Sequence, residues 1–250
     1  MEKIEWSVFL EKESEYNWEK RDRIMKIIQK RPIALERIQI DYICQCFLSY
    51  RTQLQMNAFN ALKRLLETQS MEQYTELLLT QLFRVIAGTK KIASLEAQNC
   101  AHIIMESIKP NTRIMTLLSN YTLEKNIDIR TSAVVYLIIF YQQCLETSWL
   151  EKSNQIDAFH ALSVRVTQDA SPHVREKAKL LSRLFDTFHP NFKTGKPPAK
   201  REYGRNSAPV TPMDKKLPPL LTNLPLELPN GTKIPIKRNS TPVLPILNNN

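Results

Sequence analysis

The sequence predicts an all-α protein: a solenoid of about five to six stacked helix pairs over residues 1–192, followed by a disordered basic tail over residues 193–250. Three observations predict it. Apolar residues recur at three- and four-residue steps. Short polar breaks interrupt that pattern at nearly regular distances. Composition changes abruptly near Phe192.

The helical stripes come first. Ile24, Ile27 and Ile28 form one. Leu54, Ala58, Ala61, Leu62 and Leu65 form a second. Ala93, Ala97, Ala101, Ile104 and Ile108 form a third, and Ile129, Ala133, Leu137 and Phe140 a fourth. Each buries one side of a helix. Few segments alternate with period two, so no sheet is expected, and the helices read as about 11 to 17 residues long.

The breaks fall near Trp18, Arg51, Thr89, Asn126 and Ala170, at steps of 33, 38, 37 and 44 residues. A period of roughly 40 residues made of two helices is the signature of HEAT-type repeats, which stack because no repeat buries its apolar face alone. At the last break, Ser171 is placed to cap free amides and Pro172 suits the first helical position.

Residues 193–250 hold 11 of the 15 prolines, three of the four glycines, and ten Lys/Arg against three acids. Such a segment cannot bury enough apolar surface to offset its ordering entropy. It supplies +7 of the net charge of +10, an excess that favours an acidic partner.

Several function classes recede. Cys44, Cys46, Cys100 and Cys144 lie in apolar helical stretches without the spacing of a zinc site, and read as reduced core thiols. His102, His160, His173 and His189 are scattered. With Gly88 alone among residues 1–192, no phosphate-cradling loop is possible. Neither a nucleophile constellation nor a cofactor or metal site is legible, so an enzyme is not expected. The longest apolar run, residues 133–141, is far short of the roughly 20 residues of a membrane span. The N-terminus has no signal-like apolar core. The reading is a soluble cytoplasmic or nuclear protein without membrane contact. No heptad run encodes dimerisation, so a monomer is expected.

At the breaks the sequence resembles the TOG domains of the CLASP family. Trp18-Glu19-Lys20-Arg21 resembles a first-loop Trp-x-x-Arg pattern. Ser49-Tyr50-Arg51-Thr52-Gln53-Leu54 is similar to a second-loop Asp-Leu-Arg-Ser-Gln-Val, with Tyr50 replacing the acidic-aliphatic pair. Leu82-Phe83 leading to Thr89-Lys90-Lys91-Ile92 resembles the third loop, and Lys125-Asn126 followed by Arg130 the fourth. Asp169-Ala170-Ser171-Pro172-His173-Val174-Arg175 resembles the fifth, and Phe188-His189-Pro190 the closing segment.

The resemblance implies a tubulin-binding edge formed by the five loops. Carried over, that edge is Trp18, Arg51, Lys90, Lys91, Lys125, Asn126 and Arg175. Trp18 would be the anchor and the basic residues would face acidic surface. The plainer alternatives are a packing role for Trp18, solvated loop lysines at Lys90 and Lys91, and a structural Arg175 paired with Asp169. Arg130 reads as structural, and Trp6 and Trp149 as packing residues.

In the tail, Thr232, Lys233, Ile234 and Pro235 resemble the Ser/Thr-x-Ile-Pro motif that docks on end-binding proteins at growing microtubule ends. Lys237 and Arg238 flank it. The alternative there is a passive proline-rich linker.

Together these features predict a microtubule-associated protein of the cytoskeleton, in the spindle or at kinetochores, with αβ-tubulin and an end-binding protein as partners. The second reading is a HEAT-repeat adaptor that binds another protein, or nucleic acid through its tail, without tubulin contact.

Overall fold

The computed structural model describes residues 4–31 and 33–190. The tail, with the motif of Thr232, Lys233, Ile234 and Pro235, lies outside the described residues. A 3-10 turn at Trp6–Phe9 precedes α1 (Trp18–Lys30). Then follow α2 (Arg37–Phe47), α3 (Thr52–Thr68), α4 (Thr75–Ile86), α5 (Lys91–Ser107) and α6 (Thr112–Tyr121). The last four are α7 (Ile127–Thr147), α8 (Trp149–Lys152), α9 (Ile156–Thr167) and α10 (Pro172–Phe188). No strand occurs among the described residues.

The helices pair as the stripes require. α2/α3, α4/α5, α6/α7 and α9/α10 are four antiparallel pairs, and the 3-10 turn stands in for the first helix of a pair completed by α1. The second helix of each pair, here a B helix, stacks on the next: α1 on α3, α3 on α5, α5 on α7, α7 on α10. Among the first, or A, helices, α2 packs on α4 and α4 on α6. This is an α-solenoid of the HEAT type.

Local chemistry sets the helix ends. Glu36 and Gln39 form a capping box at α2. Asn111 accepts from the Ile114 amide at 3.0 Å, and Asn126 from those of Asp128 and Ile129 at 2.8 and 3.3 Å. Pro172 opens α10, but Ser171 makes no side-chain cap there. The Ser171 amide instead donates to Asp169 Oδ1 at 2.7 Å, so the aspartate shapes this turn. Glycine suits position 88, after α4, because a Cβ there would lie 3.0 Å from the Val85 carbonyl oxygen, a tight contact.

Three helices depart from the expected length: α6, with 10 residues, and α8, with 4, are shorter, and α7 is longer. α7 has 21 residues, beyond the 11 to 17 expected, and every residue from 131 to 141 is buried. It lies among α4, α5, α6 and α10, so it needs no polar face and no early stop. Ser148, in the left-handed region at φ 52°, ends it. Trp149 packs edge-on against Phe140 at 5.6 Å, and Trp6 stacks with Tyr42 at 6.0 Å, the packing roles read from the sequence. The four cysteines are buried thiols. Burial pushes Cys44 and Cys100 up to about 12 and raises Cys46 and Cys144 as well, leaving inert thiols.

Polar rungs fix the stacking register. Gln29 of α1 donates to the Asn57 carbonyl of α3 at 2.9 Å. Tyr136 of α7 donates to the Gln98 carbonyl of α5 at 3.1 Å. Arg130 of α7 clamps Asp169, before α10, through two bonds of 2.8 and 3.1 Å, with both side chains largely buried. Burial alone would raise the Asp169 carboxyl. The bonds from Arg130 and the Ser171 amide, with the charges of Arg130 and Arg175, outweigh it and hold the group below the usual carboxylate range.

A carboxyl depressed in the folded state contributes stability above its unfolded value of about 3.9, and that contribution is lost as pH falls through the folded value. Asp169→Asn should therefore cost about 1.5–3 kcal/mol near neutral pH, the range for hydrogen bonds to charged groups. The gap between parent and variant should narrow as pH is lowered towards 3. Urea unfolding at several pH values measures it, and a gap that stays constant contradicts the assignment.

Candidate functional site

Because the B helices stack side by side in one direction, the connections from A to B helices fall along one edge. These are residues 10–17, 48–51, 87–90, 122–126 and 168–171, loops 1 to 5. Each A helix ends at its loop with carbonyls that lack helical partners. Donors from the following loop or its own B helix take up several of them.

Loop 1 is held from within. Asn17 donates to the Lys12 carbonyl at 2.8 Å and accepts from the Ser14 amide at 2.9 Å. Arg21, buried, donates to the Val8 and Glu11 carbonyls and lies over the Phe9 ring at 4.9 Å. Loop 2 is tied to loop 1 at two points and to the start of α1 at a third. Ser49 donates to Glu13 at 2.8 Å, Arg51 pairs with Glu15, and the Arg51 guanidinium lies 4.6 Å from the Trp18 ring centroid. Lys90 of loop 3 reaches back to loop 2, donating to the Tyr50 and Ser49 carbonyls at 2.7 and 3.4 Å.

The pattern continues along the edge. Asn126 of loop 4 donates to the Ala87 carbonyl of loop 3 at 3.4 Å. Arg130, besides clamping Asp169 of loop 5, donates to the Glu124 and Lys125 carbonyls of loop 4 at 2.9 Å each. Arg175 donates to the Asp169 and Ala170 carbonyls of loop 5 at 2.7 Å each. Side-chain bonds thus connect loop 1 to loop 5 without a gap.

The seven residues selected from the sequence all lie in or beside these loops, but they divide by role. Trp18 is half-buried, with Arg51 over one face. Arg51, Lys90, Asn126 and Arg175 hold backbone or neighbouring side chains. Among the described residues, Lys91 and Lys125 are exposed and have no ion-pair or hydrogen-bond partner for their side chains.

Sequence reasoning missed the apolar content of this edge. Tyr16 and Tyr50 are each 93% exposed, Leu10 76%, Ile92 65% and Leu123 63%, with Ile127 and Leu48 also exposed. Seven of the nine large exposed apolar residues among the described ones sit in loops 1 to 4 or within two residues of them; only Ile38 and Val164 lie elsewhere. Scattered exposure is ordinary, but concentration on one edge marks an interaction surface. A signal did exist: Ile92 and Ile127 fall beside their helices' buried stripes rather than within them. The charge is also less uniform than a basic edge. Loop 1 carries Glu11, Glu13 and Glu15 against Lys12, so the cations concentrate at loops 3 and 4.

Comparison with known proteins follows this geometry. The family description "CLASP N terminal" matches residues 3–193. Protein STU1 of Chaetomium globosum is 26% identical over 190 residues, covering 70% of this chain and 17% of that protein. Protein STU1 of Candida albicans is 24% identical over 187 residues, covering 67% of this chain and 14% of that protein. The chain thus spans about a sixth of the length of these relatives. The crystal structure of the MAST/Orbit N-terminal domain superposes with a TM-score of 0.52 at 13% identity, over 73% of this chain and 82% of that one, and so shares the fold. With the family description matching most of its length, the chain belongs to the CLASP N-terminal family.

Proposed function

We propose that this protein is a non-enzymatic, microtubule-associated binding module of the cytoskeleton that engages αβ-tubulin as a monomer through the edge formed by loops 1 to 4. Residues 1–192 form the binding domain and residues 193–250 a docking tail. Membership of the CLASP family supports this reading. The carrying observation is the row of exposed apolar residues, Tyr16, Tyr50, Ile92, Leu123 and Ile127, interleaved with the free Lys91 and Lys125. Tyr50 is the best-placed anchor: its ring is free while its backbone is held by Lys90. Rigid aromatic side chains make the strongest contact points. Trp18 supports loop 2 from below, its ring under Arg51, and contributes its remaining exposed edge. Lys91 and Lys125 steer encounter with an acidic partner surface.

Tyr50→Ala combined with Ile92→Asp should lower tubulin affinity by about thirtyfold or more, corresponding to about 2 kcal/mol or more. Helicity should not change, because both side chains point into solvent. Purified tubulin titrated against parent and variant chains measures this. Unchanged affinity rules out the loop edge, and loss of a different protein partner by the same variant favours the adaptor reading.

The tail supplies the second contact of the proposal. Ile234 and Pro235 would fill an apolar pocket of an end-binding protein, with Thr232 bonding at its rim and Lys233 beside acidic surface. Joining two weak contacts in one chain raises the effective concentration of each. A peptide of residues 228–242 should bind a purified end-binding domain, and changing Ile234 and Pro235 to Asn should abolish that binding. Phosphate on Ser240 or Thr241, adding about −1.5 to −2 charges beside Lys237 and Arg238, should weaken it. Absence of binding by the plain peptide at high micromolar concentration returns the tail to a basic linker.

A further inference from the structure

The first B helix presents a second surface, away from the loop edge. The exposed residues of α1 are Glu19, Lys20, Arg23, Lys26 and Lys30, with Arg31 just beyond its end. Lys26 is held by Asp22 at 2.6 Å. Among the described residues, the side chains of Lys20, Arg23, Lys30 and Arg31 have no ion-pair or hydrogen-bond partner. At 3.6 residues per turn, Lys20, Arg23, Lys26 and Lys30 share one side of the helix with Glu19, beside the half-buried Ile27. That side faces away from α3 and closes the solenoid, since no described helix stacks beyond α1.

The charge of this face is only partly offset: Glu19 stands four residues before Arg23 and Asp22 pairs with Lys26, but the cations outnumber the acids. Lys20 and Arg23, Arg23 and Lys26, and Lys26 and Lys30 are like-charged pairs at three- and four-residue spacing, each destabilising. Lys20 also lies in the first turn, where the helix dipole disfavours a cation. A face serving only solubility would mix acids evenly along the row, which here holds only Glu19, at its start. The opposite end of the solenoid does so: on α10, Glu176 and Asp186 are interspersed with Lys179 and Arg183.

We propose that the outer face of α1 is a binding site for an extended acidic peptide segment, with Lys20, Arg23, Lys26 and Lys30 as its cations and Ile27 as its apolar contact. The row rises about 15 Å along the helix, the length of roughly five extended residues. A nucleic acid fits less well. Its charge is continuous and would run past the N-terminal end of the row, where Glu19 is exposed. The face also offers no aromatic ring for stacking a base. The site is independent of the tubulin reading, because neither its residues nor its ligand is drawn from the loop edge.

The test uses the full chain and a fluorescently labelled peptide of ten glutamates, read by anisotropy. The triple variant K20Q/R23Q/K30Q should weaken binding about tenfold or more, because charged groups that face the ligand are removed. The triple variant K109Q/K179Q/R183Q, which removes the same charge from exposed positions elsewhere, should weaken it by less than about threefold, as screened distant charges do. Thermal melting should show the first variant to be at least as stable as the parent. If it fails to fold, the single variants R23Q and K30Q are read in the same way. Equal losses in the two triples overturn the proposal, since the peptide then reads net charge alone, as does absence of binding to the parent chain. A ten-nucleotide single-stranded DNA that binds more tightly than the peptide, and is lost in the first triple, overturns the assignment to an acidic peptide.

Discussion

The ammonium group of Lys90 donates to the carbonyl oxygens of Tyr50 and Ser49, some forty residues earlier in the chain. The working edge depends on this kind of tie. Wherever an A helix stops, carbonyls are left without helical donors, and a buried or partly buried carbonyl without a partner is costly. Here Gln55 and Ser94 of the following B helices take those of Phe47 and Ile86. The loops' own carbonyls are taken up by a cationic or amide side chain one repeat on or by the B helix that follows: Lys90 for loop 2, Asn126 for loop 3, Arg130 for loop 4 and Arg175 for loop 5. Each tie presupposes the stacking of B helix on B helix that brings the loops side by side. In return it fixes the backbone from which Tyr50, Ile92 and Leu123 project. A contact surface ordered before its partner arrives loses less conformational entropy on binding.

This changes what the basic residues of the edge are for. Arg51, Lys90 and Arg175 look like contact residues when read as charges in loops. Their donors are instead spent on Glu15, on loop 2 and on loop 5. Lys91 and Lys125 remain as free cations, and loop 1 is acidic, so in the proposed reading charge steers and orients while apolar side chains supply the contact area. Exposed apolar groups on a rigid, polar-rimmed edge are tolerable in solution because they are spread over four loops rather than gathered in one patch.

The fold was legible because helical period and break spacing report the same constraint, namely that each repeat must bury its stripe against a neighbour. Ile24 and Ile28, Leu54 to Leu65 and Ala93 to Ile104 are buried as their spacing predicts. The length of α7 was not legible: the stripe from Ile129 to Phe140 reveals the helix, but burial of every residue from 131 to 141 blurs where its period ends. Nor was the failure of Ser171 to cap α10: Asp169, two residues earlier, accepts its amide first, and sequence does not rank two competing acceptors. The location of the edge could be read from Trp18, Lys90 and Lys125, whereas the division of labour along it could not. Whether a loop lysine is free depends on a carbonyl forty residues away, and only the stacking register brings the two together.

The central claim is that a partner meets this protein along loops 1 to 4. The most direct measurement is amide hydrogen exchange of the whole chain with and without αβ-tubulin. Slowed exchange should concentrate in residues 10–17, 48–51, 87–92 and 122–127, while the connections on the opposite edge, residues 69–74 and 108–111, should exchange as before. Protection at the opposite edge, with loops 1 to 4 unchanged, would contradict it.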